Sequence, residues 1–93
     1  VVDRLPLEAA VEQAARLVAE RKGCLLIKLQ HTIVGLPDRL LLRPNGTCAF
    51  IEFKRPGERP SKIQKYWLER LNWQGFRAVV VRSLRDFDDV LTS

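Results

Sequence analysis

Three side chains carry the chemistry most easily read from this sequence: Asp38, Glu52 and Lys54. Glu52 and Lys54 stand two apart in Phe50-Ile51-Glu52-Phe53-Lys54, and residues two apart on a strand project to one face. A carboxylate and an ammonium then sit side by side, while Ile51 and Phe53 make the opposite face apolar. On a central strand such charges are costly unless satisfied. An ordinary ion pair on a solvated face is the alternative. Asp38 follows Pro37 at the start of a neighbouring strand, and a hairpin can bring its carboxylate beside that of Glu52. Taken alone Asp38 is a turn residue, but that reading leaves the Glu and Lys on the facing strand unexplained. Carboxylates held together repel unless a divalent cation bridges them, and Mg²⁺ favours one or two carboxylates with water and phosphate oxygens. Phosphodiester hydrolysis requires neutralised non-bridging oxygens, an activated water and a cation near the attacking or leaving oxygen. The three residues have the types for those tasks.

The elements that must position them follow from periodicity and punctuation. Leu7, Ala10, Val11, Ala14, Leu17 and Val18 recur at helical spacing, with Pro6 at a first helical position and Gly23 as the C-terminal cap, which predicts a helix over residues 7–22. Cys24 to Gln30 reads as a strand and Thr32 to Pro37 as a loop. A strand from Asp38 through Leu42, a Pro44-Asn45-Gly46 turn and a strand from Cys48 to Lys54 form a hairpin. After the polar loop Arg55 to Pro60, Ser61 and Gln64 make a capping-box pattern. It opens a helix to about Gln74 with Ile63, Trp67 and Leu71 along one face. Gly75 ends it, Phe76 to Arg82 is a β-branched-rich strand, and Ser83 caps a last helix carrying Leu84, Phe87, Val90 and Leu91. The order is αβββαβα, an α/β fold with a mixed sheet flanked by helices. The strands around the second long helix run parallel and the other pairs antiparallel.

With 93 residues the chain is expected to be one domain, residues 1–93, with all its chemistry on one core. Sixteen Lys and Arg against eleven Asp and Glu leave a net charge of +5, which points to a polyanionic partner. The excess concentrates in residues 54–82, where Lys54, Arg55, Arg59, Lys62, Lys65, Arg70, Arg77 and Arg82 face only Glu58 and Glu69. Charge alone fits a phosphate-binding surface and a solvated face equally. Cys24 and Cys48 lack a C-x-x-C spacing and are expected as reduced thiols within strands, a cross-strand disulfide being the alternative. No apolar run approaches the ~20 residues needed to span a bilayer, and the sequence opens at Val1 without a leader pattern. A trimmed start and an intracellular location, bacterial or phage-infected cytoplasm, are the corresponding expectations.

Gly35-Leu36-Pro37-Asp38-Arg39, Asn45-Gly46, Phe50-Ile51-Glu52-Phe53-Lys54, Ser61 to Gln64 and Leu71 to Gly75 together resemble the VRR-NUC (virus-type replication-repair nuclease) domain of the PD-(D/E)xK nuclease superfamily. The resemblance runs over nearly the whole chain. It implies a restriction-endonuclease-like fold and an endonuclease dependent on Mg²⁺ or Mn²⁺. Asp38, Glu52 and the Phe53 main-chain carbonyl would be metal ligands, and Lys54 would position the nucleophilic water. Gln64 matches the family's active-site glutamine, although the same side chain is the capping-box partner of Ser61. Glu12 matches the first-helix acid, catalytic and metal-binding. An ideal wheel places Glu12 almost opposite the Leu7, Val11 and Val18 stripe, where it could be solvated. Yet Glu8, Ala15 and Ala19 share its side, and small residues there would let that face approach the sheet or a second subunit. Glu12 is preferred to Glu8 for its distance to Gly23. Residues 30–34 depart from the Gly- and Ser-rich loop of relatives, and His31 there is either a phosphate contact or an exposed loop residue.

The expected partner is DNA, branched or otherwise structured and including Holliday junctions, in replication, repair or recombination. Lys28, Arg39, Arg55, Arg59, Lys62 and Lys65 are the expected contacts. A restriction-type nuclease of the same superfamily and a non-catalytic basic binding module are the rival readings. A two-fold homodimer is expected because one small domain has too little surface to embrace a junction. Its interface candidates are the Ala-rich flank of the first helix and Trp73 with Phe76, the tryptophan having the core as its other home.

Overall fold

Alternation along the central strand divides the structure into two sides. The computed structural model describes residues 7–30 and 33–92, the side chains of Leu7 and Glu8 excepted, so the expectations on Pro6, His31 and the Glu8 side chain lie outside the described residues. The elements are α1 (Leu7–Arg21), β1 (Leu25–Lys28), β2 (Arg39–Leu42), β3 (Cys48–Phe53), α2 (Lys62–Trp73), β4 (Arg77–Val81) and α3 (Leu84–Thr92). They form a sheet of order β1-β2-β3-β4. β1–β2 and β2–β3 are antiparallel, and β3–β4 are parallel across the α2 crossover, so the αβββαβα order and the mixed sheet are as expected.

Ala49, Ile51 and Phe53 of β3 point to one face, where they form the main core with Leu41, Val81, Ala15 and Ala19 of α1, and Phe87, Val90 and Leu91 of α3. Phe50 points to the other face and packs with Ala78, Val80, and Leu68 and Leu71 of α2. Each fully buried Ile, Leu or Phe contributes about 1.5–3 kcal/mol, so the α1/α3 side holds most of the hydrophobic stabilisation and the α2 side comparatively little. Room for polar groups therefore exists on the α2 side.

Two faces differ from the sequence reading. On α1 the deeply buried residues are Ala15 and Ala19, Val11 and Val18 are partly buried, and Leu17 is 53% exposed. Small side chains let the helix axis approach the sheet, and the wheel of larger apolar residues therefore marks the flank and not the floor of the contact. Ala15 and Ala19 of the Ala-rich flank are consumed inside the chain and are not available to a second subunit, whereas Ala9, Ala10 and Ala14 are only partly buried. On α2 the buried pair is Leu68 and Leu71, with Trp67 half-buried and Ile63 exposed.

The helix ends conform to local chemistry. Gly23, at φ +74°, donates its N–H to Glu20 O at 3.1 Å while Cys24 N–H reaches Ala19 O at 2.9 Å, the paired bonds of a Schellman end that require a left-handed residue. Ser61 caps α2 with the complete capping box, and Ser83 Oγ accepts from Asp86 N–H at 3.1 Å at the start of α3. Cys24 is buried and Cys48 half-buried, and both are free thiols.

Because Ala15 has no solvent exposure and sits between α1 and the sheet, Ala15→Leu is expected to lower stability by about 1–3 kcal/mol through overpacking. Leu17→Ala on the exposed flank should change it by less than about 1 kcal/mol. Urea unfolding of the two variants, with unchanged slope, checks the assignment of the buried face.

Candidate active site

The carboxyl ends of the parallel strands β3 and β4 lie at one end of the sheet, together with the start of β2 and the end of β1. Crevices at that edge are where open α/β sheets bind ligands. The β2–β3 register pairs Arg39 with Ile51, and carried one residue further it sets Asp38 opposite Glu52. Leu29 N–H bonds the Asp38 carbonyl at 2.7 Å, so the ladder with the β1 side also continues through Asp38. Opposed residues of an antiparallel pair have Cβ atoms about 4.5–5.5 Å apart and share a face. Lys54 N–H donates to Val81 O at 3.0 Å, which extends β3 by one residue and keeps Lys54 on the face of Glu52.

Glu52 is 2% exposed, and among the described residues no other charged or polar side chain is buried to this degree. The alternative of a solvated ion pair therefore fails for Glu52. Burying an ionised carboxylate is costly unless opposite charge compensates it. The half-buried Lys54, next on the same face, is one such charge.

The Gly35-Leu36-Pro37-Asp38 segment is held by shape. Gly35 adopts φ +90°, and a Cβ there would lie 2.7 Å from Ile63 Cγ1 and 3.0 Å from the Ile63 backbone carbonyl carbon. Only glycine allows both the backbone conformation and the approach to the first turn of α2. Pro37, fully buried, fixes the next step of the chain. Exposed Ile63 is accounted for by this contact, which joins the loop bearing Asp38 to the helix bearing Gln64.

Gln64 itself is committed to the cap. Its Oε1 accepts from Ser61 N–H at 2.9 Å, and its N–H donates to Ser61 Oγ at 3.2 Å. Glu12 is brought to Arg39: Arg39 Nη2 lies 3.1 Å from Glu12 Oε2, and Nη1 reaches the Asp38 carbonyl at 3.4 Å. Arg39 alternates with Asp38 and so points to the α1 side, into a crevice that also involves Gln13, Arg16 and Lys28. Glu12 is not gathered with Asp38 and Glu52, and no cluster of three or more His, Cys, Asp or Glu able to hold a metal occurs among the described residues. Lys28, Arg55, Arg59, Lys62 and Lys65 are exposed. The loop carrying Arg55 and Arg59 is fastened by Arg82, whose Nη2 and Nε donate to Glu58 O at 2.8 and 3.3 Å. Glu58 Oε1 in turn accepts from Arg55 N–H at 3.0 Å. The Arg39–Glu12 pair and the Arg82 clamp were missed in the sequence reading. Strand parity, which turns Arg39 away from Asp38, was the available signal for the first.

The sequence profile of the VRR-NUC domain matches residues 3–84. The chain belongs to the VRR-NUC family. A solved structure described as a VRR-NUC domain superposes with a TM-score of 0.85 at 29% identity, covering 95% of this chain and 97% of that one. "Putative nuclease p44" of Acyrthosiphon pisum secondary endosymbiont phage 1 is 40% identical over 57 residues. That match covers 61% of this VRR-NUC chain and 60% of the phage protein.

In this VRR-NUC domain Gly35→Ala is expected to lose about 1–3 kcal/mol of stability, since it combines a left-handed backbone with a clash at α2. Adding Ile63→Ala should recover only part, because the backbone of Ile63 and the positive φ are untouched. Denaturant midpoints of the single and double variants test this, and full recovery would remove the backbone constraint.

Proposed function

We propose that the chain is a metal-dependent DNA endonuclease that hydrolyses phosphodiester bonds in structured or branched DNA, Holliday junctions included, during replication, repair or recombination. The observation that carries this reading is the Glu52 carboxylate buried on the central strand, with Asp38 opposite and Lys54 next on the same face. Membership of the VRR-NUC family supports it. The charge of +5 suits a polyanionic substrate, and the acids, which repel phosphates, set this reading apart from a module that only binds.

Two opposed carboxylates and a nearby main-chain carbonyl are an oxygen donor set of the kind Mg²⁺ or Mn²⁺ takes, with remaining positions left to water and phosphate oxygens. Asp38, Glu52 and the Phe53 carbonyl would hold the ion. Glu12, the first-helix acid, is held by Arg39 on the α1 side and would reach this ion only by leaving that ion pair. When bound, the cation draws charge from the phosphate oxygens and eases ionisation of a water. Lys54 holds the attacking water and stabilises negative charge as it develops. Gln64, its carbonyl oxygen fixed by Ser61, offers its amide N–H groups toward a phosphate. Exposed Arg55, Arg59, Lys62 and Lys65 meet the DNA backbone, and Lys28 and Arg39 support them from the crevice behind β2.

The working unit in this reading is a two-fold homodimer, each copy acting as one catalytic domain, since a junction has two-fold symmetry and one active site cuts one strand. Among the described residues no helix is long and apolar enough to cross a membrane. The phage origin of the relative supports action in a bacterial or phage-infected cytoplasm.

Glu52→Gln and Lys54→Ala are expected to reduce cleavage at least about a hundredfold. DNA affinity should be largely retained. For Glu52→Gln the thermal midpoint should be equal or higher, because a buried charge is replaced by an isosteric neutral group. Near-normal turnover in Mg²⁺ by either variant removes that residue from the mechanism. Light scattering at micromolar concentration should give the mass of two chains for the free protein and of two chains plus the DNA with a four-way junction. A monomer that nicks junctions one strand at a time contradicts the dimer and leaves the nuclease reading standing.

A further inference from the structure

Helix α2 buries Leu68 and Leu71, and its opposite face carries Lys62, Tyr66, Arg70 and Trp73, all exposed. At 100° per residue these four fall within about 80° of one another and make one stripe. Trp73 is 81% exposed and Tyr66 48%. An indole left in water forgoes the burial that such a large ring would gain in a core, so its position calls for a use.

The stripe is ordered. Arg70 lies between its two rings: Nη1 donates to Tyr66 Oη at 3.2 Å, and Cζ stands 6.0 Å from the Trp73 ring centre. Tyr66 packs edge-on against the half-buried Trp67 at 5.2 Å, which anchors the stripe to the body of the fold. Charge bears on the occupant as well. Lys62 and Arg70 lie within the stripe and Lys65 beside it, against Glu69 alone, on a chain of net charge +5. A second copy would bring like charge against like, whereas a polyanion with flat apolar groups matches both features.

We propose that this stripe is a stacking platform for an unpaired DNA strand, its bases resting on Trp73 and Tyr66 and its phosphates meeting Lys62 and Arg70. Aromatic rings stack on bases of any sequence, and interleaved cations follow the backbone. The platform is about 16 Å long from Lys62 to Trp73. It starts at the sheet end that bears Asp38 and Glu52, because Ile63 in the same turn as Lys62 packs on Gly35. A strand emerging from the candidate active site would therefore be led along α2, so the preferred DNA carries a single-stranded arm. This extends the proposed function by naming the form of DNA that the site receives.

The test is fluorescence anisotropy with an end-labelled oligothymidylate and with a blunt duplex of equal length, both in EDTA so that binding is read without cleavage. Trp73→Ala is expected to weaken oligothymidylate binding at least about fivefold, Trp73→Phe to retain most of it, and Arg70→Gln to weaken it while flattening the salt dependence. Blunt-duplex affinity and the thermal midpoint should be unchanged in Trp73→Ala. Unchanged oligothymidylate binding, or an equal loss on both DNAs, overturns the proposal. So does dissociation of a dimer by Trp73→Ala with strand binding intact, which would assign the face to a second copy. Metal-dependent cleavage by a Trp73→Ala variant with unaltered strand affinity would defeat the platform and leave the nuclease reading in place.

Discussion

A carboxylate buried on the central strand of a sheet is the constraint around which this structure is arranged. Glu52 lies between β2 and β4 with 2% of its surface exposed, and nothing in hydrophobic stabilisation favours a charge there. Its position becomes intelligible at the sheet end, where Asp38 faces it across the β2–β3 ladder and Lys54 shares its face. An apolar residue at position 52 would serve folding at least as well. The proposed function gives the acid its reason for being there, and the core on the α2 side, smaller than that on the α1/α3 side, is where it sits.

Much of the remaining architecture holds Asp38 in register with it. Gly35 turns left-handed under Ile63, Pro37 is buried, and Leu29 N–H bonds the Asp38 carbonyl, so the loop enters β2 along one path. On the far side of the sheet Arg39 bridges that same carbonyl and the Glu12 carboxylate. Ala15 and Ala19 let α1 come close enough for this bridge to form. The loop after β3 is clamped by Arg82 on Glu58, which keeps Arg55 and Arg59 at the mouth of the site.

Particular residues show which parts of this were legible in the sequence. Gly23, Gly46, Ser61 with Gln64, and Gly75 punctuate the chain by local rules, and the element order follows from them with boundaries shifted by a residue or two. The facing of Glu52 and Lys54 is a two-residue period and equally local. Burial across helices was less legible. A wheel ranks α1 by hydrophobicity, whereas helix–sheet contact selects small size, so Ala15 and Ala19 displaced Leu17. Ile63 looked like core and instead fits against a glycine 28 positions earlier in the chain. Trp73, with the core as its alternative home, is at the surface. The Arg39–Glu12 pair spans 27 residues, and no local pattern encodes which of many cations will meet a given acid.

The proposal that Asp38 and Glu52 hold a divalent cation at a phosphodiester is addressed most directly by DNA cleavage under controlled metal conditions. The protein is incubated with linear duplex, flap and four-way-junction DNA in Mg²⁺, in Mn²⁺ and in EDTA. The account predicts cleavage of the branched substrates with either ion and none with EDTA. Binding that is insensitive to EDTA, with no cleavage of any substrate in Mn²⁺, would contradict it.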